Sequence, residues 1–205
     1  SKTINTNTFK IVVAILKVLV FIVFDLEVCN ADRINNTKEG LIVCGNHGSL
    51  IDPVILAVST KRQIHYMGKK ELFNNKIIGF IFKKLGAFPV DRDGVSMSAI
   101  KSSLAVLKSN EVLGIFPEGK RVDGYDENNA KPGIALIANK ANSNIIPFYI
   151  KGPYKFRGKI KVYFGEETNY LKNIEGRVKS EDYHEIGKQI LRDIYGLESE
   201  YNNEN

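Results

Sequence analysis

The chain has 205 residues, 43% hydrophobic and 25% charged, a balance that fills one core and excludes a chain disordered throughout. Lys and Arg outnumber Asp and Glu by 29 to 23, a formal net charge of +6, which favours anionic partners; without zinc-ligand spacing, an aromatic RNA-binding motif or an Arg-rich tract, nucleic acid is set aside. The two cysteines, Cys29 and Cys44, form no CxxC pair, which argues against a disulfide scaffold and fits a reducing compartment.

In chain order, the first feature is Ile11–Phe24, apolar apart from Lys17. As a helix it rises about 21 Å, short of the roughly 30 Å hydrocarbon layer. Extending it to Cys29 adds Asp25 and Glu27, which are costly in lipid. No small-residue cleavage site follows, so a signal peptide does not fit. Two alternatives stay open, a helix resting in the membrane interface with Lys17 snorkelling to the headgroups, or one packed into the fold. Its wide apolar circumference favours the interface. Residues 1–29 are therefore expected as a membrane-contact helix, residues 30–197 as the main domain and residues 198–205 as a polar tail. The chain is expected on the cytoplasmic face of the cell membrane, attached without spanning it.

From Leu41 onward, apolar strands alternate with helical stretches. Strands are predicted at Leu41–Gly45, Gln63–Gly68, Ala87–Val90, Val112–Phe116, Ile145–Ile150 and Ile160–Phe164. Helices are predicted at Pro53–Ser59, Asn75–Leu85, Ser96–Lys108, Gly133–Ala141 and Asp182–Tyr195, with loops at Asn30–Gly40 and Val122–Lys131. In Ser96–Lys108 the residues Met97, Ile100, Leu104 and Leu107 recur at three- and four-residue steps, one helical face. The alternation predicts an α/β domain with a mixed, largely parallel sheet flanked by helices. Such sheets bind ligands beyond the carboxyl ends of their strands. Asn46-His47, Asp91-Arg92 and Pro117-Glu118-Gly119 follow three of those ends, so a histidine, an arginine and a glutamate are expected at one edge.

Asn46-His47-Gly48-Ser49-Leu50-Ile51-Asp52-Pro53 carries the chemistry. Asp52-Pro53 has the form of an N-cap followed by proline at the first helical position, where a carboxylate is favoured by exposed N–H groups. His47 precedes it in the strand-to-helix turn, and the turn can fold the imidazole onto the carboxylate. An imidazole steadied through one nitrogen is a general base at the other; a satisfied turn histidine beside an ordinary cap is the bland alternative. Arg92 at a strand end presents a planar fork suited to phosphate, or a surface partner for Asp91 and Asp93. Phe116-Pro117-Glu118-Gly119-Lys120-Arg121 sets a carboxylate between a rigid and a permissive residue, beside two cations; an ordinary polar turn reads the same way. Cys44 belongs to an apolar strand and is expected buried, and His65 is read as structural.

Taken together, these residues resemble the glycerophospholipid acyltransferases, the family of 1-acyl-glycerol-3-phosphate acyltransferases. His47 and Asp52 match its HxxxxD block in the form NHxSxxDP, Gly86–Arg92 its GAFPVxR block, Phe116–Gly119 with Arg121 its FPEG block, and Ile146-Pro147-Phe148 its last block. The resemblance implies that His47 deprotonates an acceptor hydroxyl; such a hydroxyl can attack an acyl thioester directly, and with Cys44 expected in a buried strand no covalent intermediate on it is expected. It implies Asp52 as dyad partner, and Arg92 and Arg121 as phosphate ligands. Glu118 and Gly119 would shape the acceptor site, Pro147 would support its wall, and Asn46, Ser49 and Lys120 would join the substrate contacts. Lys120 departs from the family's usual Ser or Thr. The implied substrates are a lysophospholipid acceptor and acyl-CoA or acyl carrier protein, with no cofactor or metal. A phospholipid-dependent transacylase and a non-catalytic lipid-binding protein are the alternatives. Lys155, Arg157, Lys159 and Lys161 alternate, as on one face of an extended strand, suited to anionic lipid or to guarding an exposed sheet edge.

Overall fold

The computed structural model describes residues 6–90 and 96–204. Seven strands form one sheet in the order β1-β7-β6-β2-β5-β3-β4. They are β1 (Phe24–Cys29), β2 (Leu41–Gly45), β3 (Ile64–Lys69), β4 (Phe88–Val90), β5 (Val112–Ile115), β6 (Ile145–Lys151) and β7 (Gly158–Phe164). β6, β2, β5, β3 and β4 run parallel, so their carboxyl ends share one edge. β7 turns back antiparallel to β6, and β1 pairs parallel to β7 at the margin. The mixed, largely parallel sheet expected from the sequence is present.

Helices cover both faces. On one lie α1 (Thr6–Val23), α3 (Asp52–Ser59) and α4 (Lys76–Lys84); on the other, α5 (Met97–Lys108), α6 (Gly133–Ala141) and α7 (Ser180–Glu204). Alternation along β2 feeds both layers. Leu41 and Val43 join the first cluster with Val20, Ile55 and Phe82, while Ile42 and Cys44 join the second with Leu107, Ile137 and Ile190. Local signals set the helix starts: the Asn75 side chain accepts from the Ile77 and Ile78 N–H groups at 3.0 Å, and Ser96 caps α5 through the Ala99 N–H.

Several expectations are corrected. The N-terminal helix stops at Val23, and Phe24–Cys29 is a strand rather than its continuation. Pairing with β7 takes up the backbone groups on one side of that strand, and Lys159 Nζ reaches Glu27 at 2.7 Å. β7 is therefore an interior strand, and the edge beyond it belongs to β1; Lys155 and Arg157 precede β7 instead of extending it. Asn30–Gly40 contains a short helix, α2 (Asp32–Asn35), anchored by fully buried Ile34. On α5 the buried stripe is Ala99, Ile100, Ser103 and Leu107, while Met97 is 66% exposed; Ser103 is tolerated inside because its hydroxyl donates to the Ala99 carbonyl at 2.8 Å. The segment expected as a polar tail continues α7 to Glu204. Among the described residues, no helix is long and apolar enough to cross a membrane.

Candidate active site

β2 ends at Gly45, where an added Cβ would lie 2.2 Å from the Phe148 ring; only glycine lets β6 press this close. The chain then turns through Asn46 and His47 into α3. Asp52 is fully buried, and its Oδ2 accepts from His47 Nδ1 at 3.0 Å and from the Ser49 N–H at 2.7 Å. An ionised carboxylate only accepts, so Nδ1 carries the proton toward Asp52 and Nε2 is left as the basic nitrogen. Nε2 has no protein partner among the described residues.

The expected N-cap is corrected here. Ile51 holds the cap position and Asp52 is the first helical residue. The Asp52 N–H already closes a turn onto the Ser49 carbonyl, and the Ile55 N–H bonds Ile51. The carboxylate therefore folds back over the turn instead of forward along the helix, while staying at the positive end of the helix dipole.

The turn after β5, the neighbour of β2, closes over the imidazole. Phe116 stacks on His47 with ring centroids 4.2 Å apart, and Phe148 meets Phe116 edge-on at 6.0 Å. Gly119 has φ +66, with its N–H on the Phe116 carbonyl at 3.0 Å. An added Cβ would meet little there, so backbone conformation and not space requires glycine. Val122 donates its N–H to the His47 carbonyl at 2.9 Å, which brings the exposed Lys120 and Arg121 to the same edge.

Glu118 is 1% exposed; Oε1 accepts from the Tyr195 hydroxyl at 3.1 Å, and Oε2 has no partner among the described residues. Burial pushes its carboxyl above the ordinary value, against the opposing pulls of Tyr195, His47 and Lys120.

Not every expected substrate contact is free to act as one. Asn46 spends both ends of its amide on the Ile150 main chain, at 2.9 and 2.8 Å, tying the His47 turn to β6. Ser49 acts through its backbone N–H on Asp52, while its Oγ faces the Ile51 N–H. Pro147 lies within β6, opposite Cys44 in register. Cys44 is fully buried and its thiol is pushed well up by burial, and His65 rests against the Gly86 carbonyl at 3.2 Å. Arg92 lies outside the described residues.

Sequence reasoning missed three tyrosines. The Tyr154 hydroxyl donates to Asp52 Oδ1, Tyr195 holds Glu118, and the Tyr149 hydroxyl donates to Glu198 at 3.0 Å. These three help line a cavity of about 260 Å³ against Asn46 and Gly48, with Lys151 and Glu198 at its wall. Lys151 Nζ is paired to Glu198 at 2.7 Å, so the cavity offers little free positive charge.

Residues 25–151 match the acyltransferase family model. The chain is 43% identical over 178 residues to a 1-acyl-sn-glycerol-3-phosphate acyltransferase of Streptococcus pneumoniae, spanning 83% of this chain and 65% of that protein. It is 36% identical over 157 residues to one of Bacillus subtilis, spanning 74% and 77%. The crystal structure of a 1-acyl-sn-glycerophosphate acyltransferase from Thermotoga maritima shares the fold, with a TM-score of 0.64 over 93% of this chain and 79% of that one at 20% identity. A family model matched across more than half the chain, with relatives this similar, shows that the chain belongs to the acyltransferase family.

Proposed function

We propose that the protein transfers a fatty acyl group from an acyl thioester to the free hydroxyl of a lysophosphatidate-like acceptor. The observation that carries this reading is the dyad: His47 protonated toward a fully buried Asp52, with Nε2 free to take a proton. The acceptor hydroxyl gives its proton to Nε2 as its oxygen attacks the thioester carbonyl. The C–S bond then breaks, and the imidazolium returns the proton to the departing thiolate, leaving ester and thiol. Asp52 stabilises the imidazolium in between. The names of the similar proteins support the acceptor class. Lys120 and Arg121, with Arg92, are the cations assigned to its phosphate, and Glu118, buried in the turn that closes over His47, shapes the acceptor site from behind.

The reaction is proposed to occur on a lipid surface. On α1, Ile11, Ile15, Val18, Leu19 and Ile22 form one helical stripe, each at least half exposed, while Val13, Leu16 and Val20 pack inward. Neighbouring α4 adds exposed Ile77 and Phe80 between Lys76 and Lys83. Apolar residues fringed by lysine suit an anionic interface.

Purified protein incubated with lysophosphatidate and either acyl-CoA or acyl carrier protein should form the diacyl product. His47→Ala should lower turnover by about 10²–10⁴-fold with the fold intact. Wild-type turnover in that variant would exclude the mechanism, and product formed from phospholipid alone would establish the transacylase instead.

A further inference from the structure

We infer that Tyr154 is a positioning residue of the dyad, whose hydroxyl holds the second oxygen of Asp52 and so sets the orientation and basicity of His47. This rests on the reading of His47 as general base.

Asp52 is fully buried, so each carboxylate oxygen needs a partner from the protein. Oδ2 is supplied by His47 and Ser49, from the turn just ahead of α3. Oδ1 is supplied by Tyr154, which lies beyond the end of β6 and lines the cavity. The carboxylate plane is thus pinned from both sides, and the imidazole bonded to it inherits that plane. Two features fix the turn that carries Tyr154. Gly152 has φ +146 and packs where a Cβ would lie 2.3 Å from the Lys159 carbonyl oxygen, and the Arg157 N–H bonds the Val23 carbonyl at the end of α1, 2.6 Å away.

A neutral hydroxyl suits this role. A second cation at Oδ1 would compete with the imidazolium for the carboxylate, whereas a hydroxyl donates one bond and withdraws only part of the charge. Burial and the Asp52 charge both push the Tyr154 phenol up, so it remains a donor at neutral pH.

His47 is faced by Asp52 from α3, by Glu118 from the turn after β5 with Lys120 beside it and Tyr195 behind, and by Tyr154 acting through Asp52. Tyr154→Phe keeps the ring and changes only one bond of this set. Without the donor the carboxylate is more basic and holds the imidazolium more tightly.

The His47 imidazole, followed by NMR through its ring Cε1–H, should therefore titrate at higher pH in Tyr154→Phe than in the wild type. Turnover with lysophosphatidate should fall by about 10–100-fold, with KM little changed and the acid limb of the pH profile moved the same way. 3-Fluorotyrosine at position 154, a stronger donor, should move the His47 titration downward, which tests the same bond without deleting it. A His47 titration unmoved in both proteins overturns the inference, as does a shift of the same sign in both. The NMR measurement needs no substrate, so absence of acyl transfer by the wild type would reject the proposed function and leave this coupling separately measurable.

Discussion

The two longest helices, α1 and α7, cover opposite faces of one sheet, and they differ in what they offer outward. α7 buries Ile186, Ile190, Leu191, Ile194 and Leu197 along one stripe and exposes polar and charged residues such as Glu181, His184, Glu185 and Gln189 on the other side. α1 packs Val13, Leu16 and Val20 inward, yet also presents Ile11, Ile15, Val18, Leu19 and Ile22 outward. One apolar stripe is enough to hold a helix on a sheet. The second stripe on α1 contributes nothing to the fold shown, and the proposed lipid surface gives it a role. The contrast extends to the site: α7 supplies Tyr195 and Glu198 to the cavity wall, while the end of α1 anchors the turn bearing Tyr154.

Alanine at matched positions tests the contrast most strongly. Ile190 is fully buried, and Ile190→Ala should cost about 2–5 kcal/mol of stability, read as a lowered denaturant midpoint. Ile15, 56% exposed on α1, should cost less than about 0.5 kcal/mol by the same measurement. Equal losses at the two sites would mean that the outer stripe of α1 is a core face in solution. In sedimentation with anionic phospholipid vesicles the ranking should invert. Ile15→Ala should weaken partitioning by about tenfold, the effect of removing up to three methylene-sized groups from partial burial in lipid. Vesicle binding unchanged in that variant would count against α1 as the lipid contact.

Legibility in the sequence followed the range of the interactions. α6 and β2 were readable to the residue. Lys131-Pro132-Gly133 opens α6 and Asn142 in the left-handed region, φ 50, closes it, while β2 is an unbroken apolar run buried on both faces. The His47–Asp52 pair was readable because both residues lie in one turn. Tyr154 was not, because 102 positions separate it from Asp52, and nothing local marks a tyrosine that will meet a carboxylate across a sheet. One general signal was available: the rule that ligands gather beyond parallel strand ends applied to β6 as well, and Tyr154 follows that end. The extension of α7 was hidden for another reason. Its last turns are polar in composition, and only the packing of Tyr195 and Leu197 shows that one face still meets the sheet.

The smallest expected effect concerns the contact between α7 and the catalytic edge. Burial raises the Glu118 carboxyl above its value in the unfolded chain. Between those two values the folded protein keeps a proton that the unfolded chain has released, so stability falls as pH rises through that window and is level above it. Glu118→Gln has no proton to lose and still accepts from Tyr195 through its amide oxygen. Melting temperatures should therefore nearly coincide at the acid end of the window, and the variant should gain on the wild type as pH rises, reaching a constant advantage at neutral pH. Acyl transfer should fall at every pH, because an amide nitrogen in place of the buried Oε2 changes the packing of the turn that closes over His47. A variant less stable than the wild type by the same amount throughout would mean that the Tyr195–Glu118 bond secures α7 as a charged contact, and that the cost of burying the carboxylate is already met by the groups around it.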